Sequence, residues 1–249
     1  MWRQFTIALS FLTIFHLPVS GEISSDDSGR CYAAFPVVGL LIGLMTSLMV
    51  LMLQAVMPPL LLAAWACAFM TLITRGFHLD GLADLADGLG GGYTPARRLE
   101  IMKDSATGAF GSLALVLAIL LKASAIYSLI MTKGWLALAI VPALSRFAIV
   151  LSAYKSSCAR TGGLAKSSLE CMTRGTVLAA ALSSVVFTLL LVPRFAPALL
   201  GTAIASSFLI RWLAHRCLGG VTGDVLGAVN ELTEVLLFTL SACLAYSLN

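Results

Sequence analysis

The sequence predicts an all-α fold, a polytopic transmembrane helical bundle of about seven spans with short cytoplasmic and interfacial helices, and three observations predict it. Of 249 residues, 59% are hydrophobic and only 11% are charged. Several uninterrupted apolar stretches reach about 20 residues, the length that crosses a hydrocarbon core of ~30 Å. The polar residues gather in a few short islands between those stretches. With most of the chain given to spans, residues 1–249 read as a single integral-membrane domain, and any chemistry must sit in loops and at helix ends.

Taken in order, the first segment, 2–17, is short for a span and carries Gln4, Thr6, Ser10, Thr13 and His16 among its apolar residues. It is expected to lie in the interface or to re-enter, although Arg3 ahead of an apolar run also gives it the outline of a signal peptide. Length, together with Pro, Gly and charge at the ends, then marks spans at 33–57, 59–74, 109–131, 135–154, 176–192, 196–214 and 222–246. Threading them puts 75–108, 155–175 and 216–221 on one side and 57–59, 132–134 and 193–195 on the other. The first side holds Arg30, Arg75, Arg97, Arg98, Lys103, Lys155, Arg160, Lys166, Arg174, Arg211 and Arg216, the second only Lys133 and Arg194. By the positive-inside rule the first side is cytoplasmic. The acidic residues fall on or near that same side, which insertion does not require, so a site facing the cytosol is expected.

The island from 75 to 111 holds five of the twelve acidic residues. Asp80, Asp84 and Asp87 are spaced i, i+4, i+7, which on a helix puts three carboxylates on one stripe. Like charges so placed repel, and in so apolar a chain they call for a positive partner rather than bulk solvent. Hard carboxylate oxygens suit Mg²⁺ or Mn²⁺, ions that keep part of their water and bridge to substrate phosphates. Such an ion lowers the charge of a diphosphate and holds an attacking oxygen in line with it.

Gly88, Gly90, Gly91 and Gly92 are expected to end the acidic helix, and Thr94 and Pro95 read as the cap and first residue of a short second helix. That helix carries Arg97 and Arg98, whose planar donors suit phosphate, followed by Lys103 and Asp104, which serve the site or form an interfacial ion pair. A second polar cluster opens the last span with Asp224, Asn230, Glu231 and Glu234. Carboxylates within a membrane helix face a wet cavity, a cation or a neighbouring helix, so these line the same site from the opposite wall or pair between helices. Lys122 and Arg146 lie inside spans and need partners, Arg146 near enough to the cytoplasmic end for a role in the pocket. His78 abuts Asp80 and can act as base, ligand or donor. The six cysteines show no metal-binding spacing and suggest no disulfide framework. Gly39, Gly43, Gly201 and Ser206 allow close helix contacts within one copy or between copies of a homo-oligomer.

Three collinear motifs carry a family resemblance: Phe77-His78-Leu79-Asp80-Gly81-Leu82-Ala83-Asp84 through Asp87-Gly88, Met102-Lys103-Asp104-Ser105 with Gly108 and Gly111, and Gly220-Val221-Thr222-Gly223-Asp224-Val225-Leu226-Gly227-Ala228. With Phe35-Pro36-Val37-Val38-Gly39 at the start of the first span, they resemble the cobalamin synthase family, the adenosylcobinamide-GDP ribazoletransferases. The resemblance implies a multi-pass enzyme of the bacterial inner membrane that joins adenosylcobinamide-GDP to α-ribazole or its 5′-phosphate, releases GMP and needs Mg²⁺. It implies metal binding by Asp80, Asp84 and Asp87, catalytic roles for these with Lys103, Asp104 and Asp224, and substrate contacts from His78, Arg97, Arg98, Arg146, Glu231 and Glu234. Its partners would be those substrates and the lipid bilayer, with no nucleic acid. The chain departs from the family pattern at Arg75, where a small residue is usual, at Ala106, and at Ala159-Arg160-Thr161. Two rivals remain. CDP-alcohol phosphotransferases also use spaced aspartates, but at wider spacing, and a cation-coupled transporter would set its carboxylates near the bilayer midplane.

Overall fold

The computed structural model describes residues 2–19, 21–160 and 168–247, which leaves Thr161 and Lys166 outside the described residues. Helix α1 (Trp2–Leu12) and the short α2 (Ser25–Arg30) lead through a 3-10 turn at Cys31–Ala34 into α3 (Phe35–Leu53). Then come α4 (Pro59–Ile73), α5 (Phe77–Gly91), α6 (Pro95–Ile101), α7 (Ala109–Met131), α8 (Trp135–Ala153), α9 (Arg174–Leu191), α10 (Ala196–Leu218) and α11 (Gly223–Tyr246). Six of the described helical segments are long and apolar enough to cross a membrane, and α4 with α5 makes a seventh only as a pair bent by 91°.

That bend modifies the span expected at 59–74. Helix α4 has 15 residues, about 22 Å at 1.5 Å per residue, short of the ~30 Å core. The chain then turns through Arg75 and Gly76, both left-handed at φ 57° and 66°, and α5 runs off nearly at right angles to α4. A left-handed non-glycine residue costs about 1–2 kcal/mol. Here the Arg75 guanidinium donates to the Phe11 carbonyl at 3.1 Å, and Ile14 N–H donates to Ile73 O at 2.8 Å, so the first segment is tied to this corner. At 11 residues α1 is too short to span.

Helix α8 forms the axis, with residues on every face buried, and α3, α9, α10 and α11 pack around it. Gly39 and Gly43 lie so close to the α8 backbone that a Cβ on either would collide with carbonyl oxygens of Pro142 and Ala139. Ser206 shares a 2.9 Å hydrogen bond with Thr233. These three small residues therefore serve contacts within one chain. The polar ends of the helices meet on one side, where Ala159 N–H donates to Val221 O at 3.0 Å, Val221 N–H to Ser157 O at 2.9 Å, and Arg98 to Cys217 O at 3.1 Å.

Candidate active site

Helix α5 carries the acidic stripe and crosses α11 at close range. At the crossing, a Cβ on Gly81 would come within 2.7 Å of the Asp224 carbonyl oxygen, and one on Gly227 within 3.2 Å of the His78 carbonyl. Only glycine at both positions lets the two backbones approach so far, which is why one glycine stands in each of two motifs distant in sequence. The crossing sets Asp224, in the first turn of α11, beside Asp80 and Asp84 of α5. Thr222 caps α11, accepting from Val225 N–H.

The electrostatics of this group are unbalanced. Burial, and then the nearby charges of Asp224 and Asp80, push the Asp84 carboxyl up from 3.8 to about 6, against the opposing pull of Arg160 and with a smaller push from Asp87. Arg160, on the segment that joins α8 to α9, reaches Asp224 with its guanidinium at 2.9 Å and also donates to Met102 O at 3.2 Å. Its Nε is buried and has no partner among the described residues. In the sequence Arg160 stands out as a basic residue of the cytoplasmic side and within the Ala159-Arg160-Thr161 departure from the family pattern. Nothing in its spacing points to Asp224; the backbone pairing of 157–159 with Val221 delivers it.

Asp87 does something different from Asp80 and Asp84. Its two carboxylate oxygens accept the backbone N–H groups of Gly108 at 2.7 Å and Gly111 at 2.8 Å, so it caps the start of α7 and anchors the 102–108 loop. A Cβ on Gly108 would press on the Asp87 carboxylate at 2.5 Å, which explains glycine there. Helix α5 ends within the glycine run, as expected, but at its far end. It continues through Gly88, Gly90 and Gly91 to a cap at Gly92, because Met102 packs directly over Gly88 and Phe110 over Gly90.

A hollow of about 480 Å³ beside Asp87 is bordered by Arg97, Glu100, Asp104 and Gly108. Arg97 pairs with Glu100 at 2.7 Å on the surface. Asp104 accepts from Ala106 N–H at 3.0 Å, and Lys103 is exposed. Arg98 instead braces the fold, donating to Gly92 O at 2.9 Å and to Cys217 O.

Glu231, Glu234 and Arg146 belong to a separate, buried network. Lys122 Nζ bonds Glu231 at 2.8 Å and Glu234 at 2.7 Å, Arg146 donates to Glu234, and Asn230 and Ser145 complete the shell. Of the two arrangements open from the sequence, pairing between helices is the one present. A single thread leads from this network toward the aspartates: Arg146 Nη2 lies 3.5 Å from His78 Nδ1.

Among the described residues no three His, Cys, Asp or Glu side chains close around one point as a ready-made metal cage. Mg²⁺ does not need one, since it is commonly held by one or two carboxylates with water and substrate phosphates supplying the rest. Two or three hard oxygen donors with excess negative charge, at the mouth of a polar end, fit such an ion.

Comparison with known proteins gives a consistent result. Residues 4–242 match the family described as Cobalamin-5-phosphate synthase. The chain is 47% identical to the adenosylcobinamide-GDP ribazoletransferase of Syntrophobacter fumaroxidans, over 98% of this chain and 100% of that one. It is 41% identical to the protein of the same name from Chlorobaculum tepidum, over 92% of each chain, and 38% to that from Geotalea daltonii, over 97% and 98%. No solved structure matches it.

Proposed function

The chain belongs to the cobalamin-5-phosphate synthase family, and we propose that it is an adenosylcobinamide-GDP ribazoletransferase of the bacterial inner membrane, with its site facing the cytoplasm. It joins adenosylcobinamide-GDP to α-ribazole or its 5′-phosphate. A ribose hydroxyl oxygen forms a bond to the cobinamide-side phosphorus, the phosphoanhydride bond breaks, and GMP leaves with the bridging oxygen. The hydroxyl proton passes to a carboxylate.

One observation carries the geometric part of this reading: the Gly81 and Asp224 contact joins the motif on α5 to the motif on α11, so residues 140 positions apart present their carboxylates together. Asp80, Asp84 and Asp224 are the residues that would hold Mg²⁺ against the diphosphate. When bound, the ion would neutralise phosphate charge and stabilise the departing GMP. In the absence of the ion, burial and the neighbouring carboxylates raise the proton affinity of Asp84, a repulsion that a bound cation would relieve. Arg160 holds Asp224 and has a buried Nε free for a phosphate oxygen. Arg97 and Lys103 lie where they can meet the outer phosphate, and Asp87 fixes the loop that carries Lys103 and Asp104. The excess of Lys and Arg on this side supports its cytoplasmic placement.

The test uses purified membranes with Mg²⁺, adenosylcobinamide-GDP and α-ribazole, and follows GMP. Release is expected with these substrates and not of CMP from a CDP-alcohol. Asp84→Asn should lower turnover by at least about 100-fold while the protein stays folded in detergent. Full turnover by the variant would remove the metal role.

A further inference from the structure

Beside the crossing of α5 and α11 lies a cavity of about 260 Å³. It is small for a pocket that takes drug-sized ligands, about 300–1,000 Å³, and far too small for a nucleotide or a corrin. Its wall is aromatic. Tyr32 stacks on Phe35 with centroids 4.3 Å apart, Phe35 stacks on Phe11 at 6.1 Å, and Phe11 meets Phe77 edge-on at 5.4 Å. All four rings line the cavity, together with His78 and Leu226. The first segment, which neither spans nor touches the aspartates, thus supplies Phe11 to this wall.

Within this apolar lining His78 is a defined donor. It is 2% exposed. A guanidinium only donates, so the approach of Arg146 Nη2 at 3.5 Å makes Nδ1 the acceptor and leaves the proton on Nε2. Nε2–H has no hydrogen-bond partner among the described residues. His78 borders the cavity, and a ring donor at a flat, aromatic-lined space asks for a planar ligand with one in-plane acceptor. Phe77, Asp80 and Asp84 stand at i, i+3, i+7 on α5, so the rim of the cavity runs directly into the aspartate stripe.

We propose that this cavity is the subsite for the aromatic base of the incoming nucleoside: the bicyclic ring lies between the aromatic side chains, and His78 Nε2–H donates to its unsubstituted ring nitrogen. This rests on the ribazoletransferase reading. Arg146, fixed from below by Glu234, is then a positioning residue that sets the histidine tautomer. Leu226, on the wall contributed by α11, sets how large a ring fits. The ribose is thereby placed at the rim, with its hydroxyl toward the carboxylates.

The experiment measures KM and kcat of the full chain in detergent for α-ribazole and for the riboside of unsubstituted benzimidazole. His78→Phe should raise the KM for both on the order of tenfold, the worth of one buried hydrogen bond, with the KM for adenosylcobinamide-GDP unchanged. Leu226→Phe should raise the KM for the dimethylated base more than for the smaller one, and Leu226→Ala should reverse that order. Free 5,6-dimethylbenzimidazole should inhibit the wild type in competition with ribazole only, a measurement that needs no variant. An active His78→Phe with unchanged KM for both ribosides, active Leu226 variants with unaltered base preference, or inhibition that competes with adenosylcobinamide-GDP or is absent, would overturn the subsite. A wild type that releases no GMP at all would overturn the transferase reading instead.

Discussion

Helix α11 carries Asp224 in its first turn and Glu231 and Glu234 about two turns deeper, and these two places treat carboxylates in opposite ways. At depth two acids meet two bases: Lys122 and Arg146 face Glu231 and Glu234, all less than 7% exposed, and the sum of charge is zero. At the helix start Asp80, Asp84 and Asp224 face, among the described residues, one guanidinium, that of Arg160. The deep cluster is closed and tells the helices how to pack. The shallow one is open and carries excess negative charge that a bound cation and substrate would relieve. Position in the membrane explains the difference, because an unbalanced charge is tolerable only where water or a ligand can reach it.

The comparison breaks first at Lys122. Lys122→Met leaves two buried glutamates with one guanidinium and should cost about 3–5 kcal/mol, seen as loss of monodisperse protein in detergent. Adding Glu231→Gln to that variant should restore most of the folded yield. If Lys122→Met is as stable as the wild type, the deep cluster is not a balanced structural unit.

Asp87 tests the boundary between the two kinds of acid. It sits on the same stripe as Asp84, yet its oxygens hold the N–H groups of Gly108 and Gly111. Asp87→Ala should therefore destabilise the protein by about 1–2 kcal/mol, as loss of a helix cap does, in a chemical unfolding titration run without metal. An unchanged midpoint would place Asp87 with the open cluster.

The smallest expected effect is also the one of opposite sign. The Asp84 carboxyl, raised to about 6, binds a proton more readily in the folded chain than in the unfolded one. Its protonation favours folding, and that contribution is complete below about pH 4 and lost as pH rises through about 6. In the absence of divalent ions, the wild-type melting temperature should fall by about 1–2 °C between about pH 5 and about pH 7, whereas Asp84→Asn should stay level. Equal slopes for the two proteins would mean that the open cluster stores no repulsion.

Much of this molecule was legible from periodicity and charge alone. The long apolar runs gave the spanning helices, and the i, i+4, i+7 stripe gave the acidic face of α5. Asp87 shows the limit of that reasoning. Its spacing matches that of Asp80 and Asp84, but what its oxygens bond depends on where the start of α7 comes to lie. The glycine run does end α5, as its composition suggests, but only at its last members: the helix runs to Gly91 and caps at Gly92, with Met102 and Phe110 packed over Gly88 and Gly90. Arg160 was out of reach entirely, since a β-bridge between Cys158 and Val221 sets its position.

The sequence by itself determined that the chain lives in a bilayer, which side is basic, and that carboxylates collect there, because hydrophobic length and charge act locally and need no partner to be read. The tertiary structure decided which carboxylates stand open and which are sealed against Lys122 and Arg146, and it built the aromatic cavity beside His78 from stretches of chain far apart in sequence. Ion pairing and cavity walls are properties of neighbours in space, and even within the ion pairs those neighbours lie up to 112 residues apart along the chain.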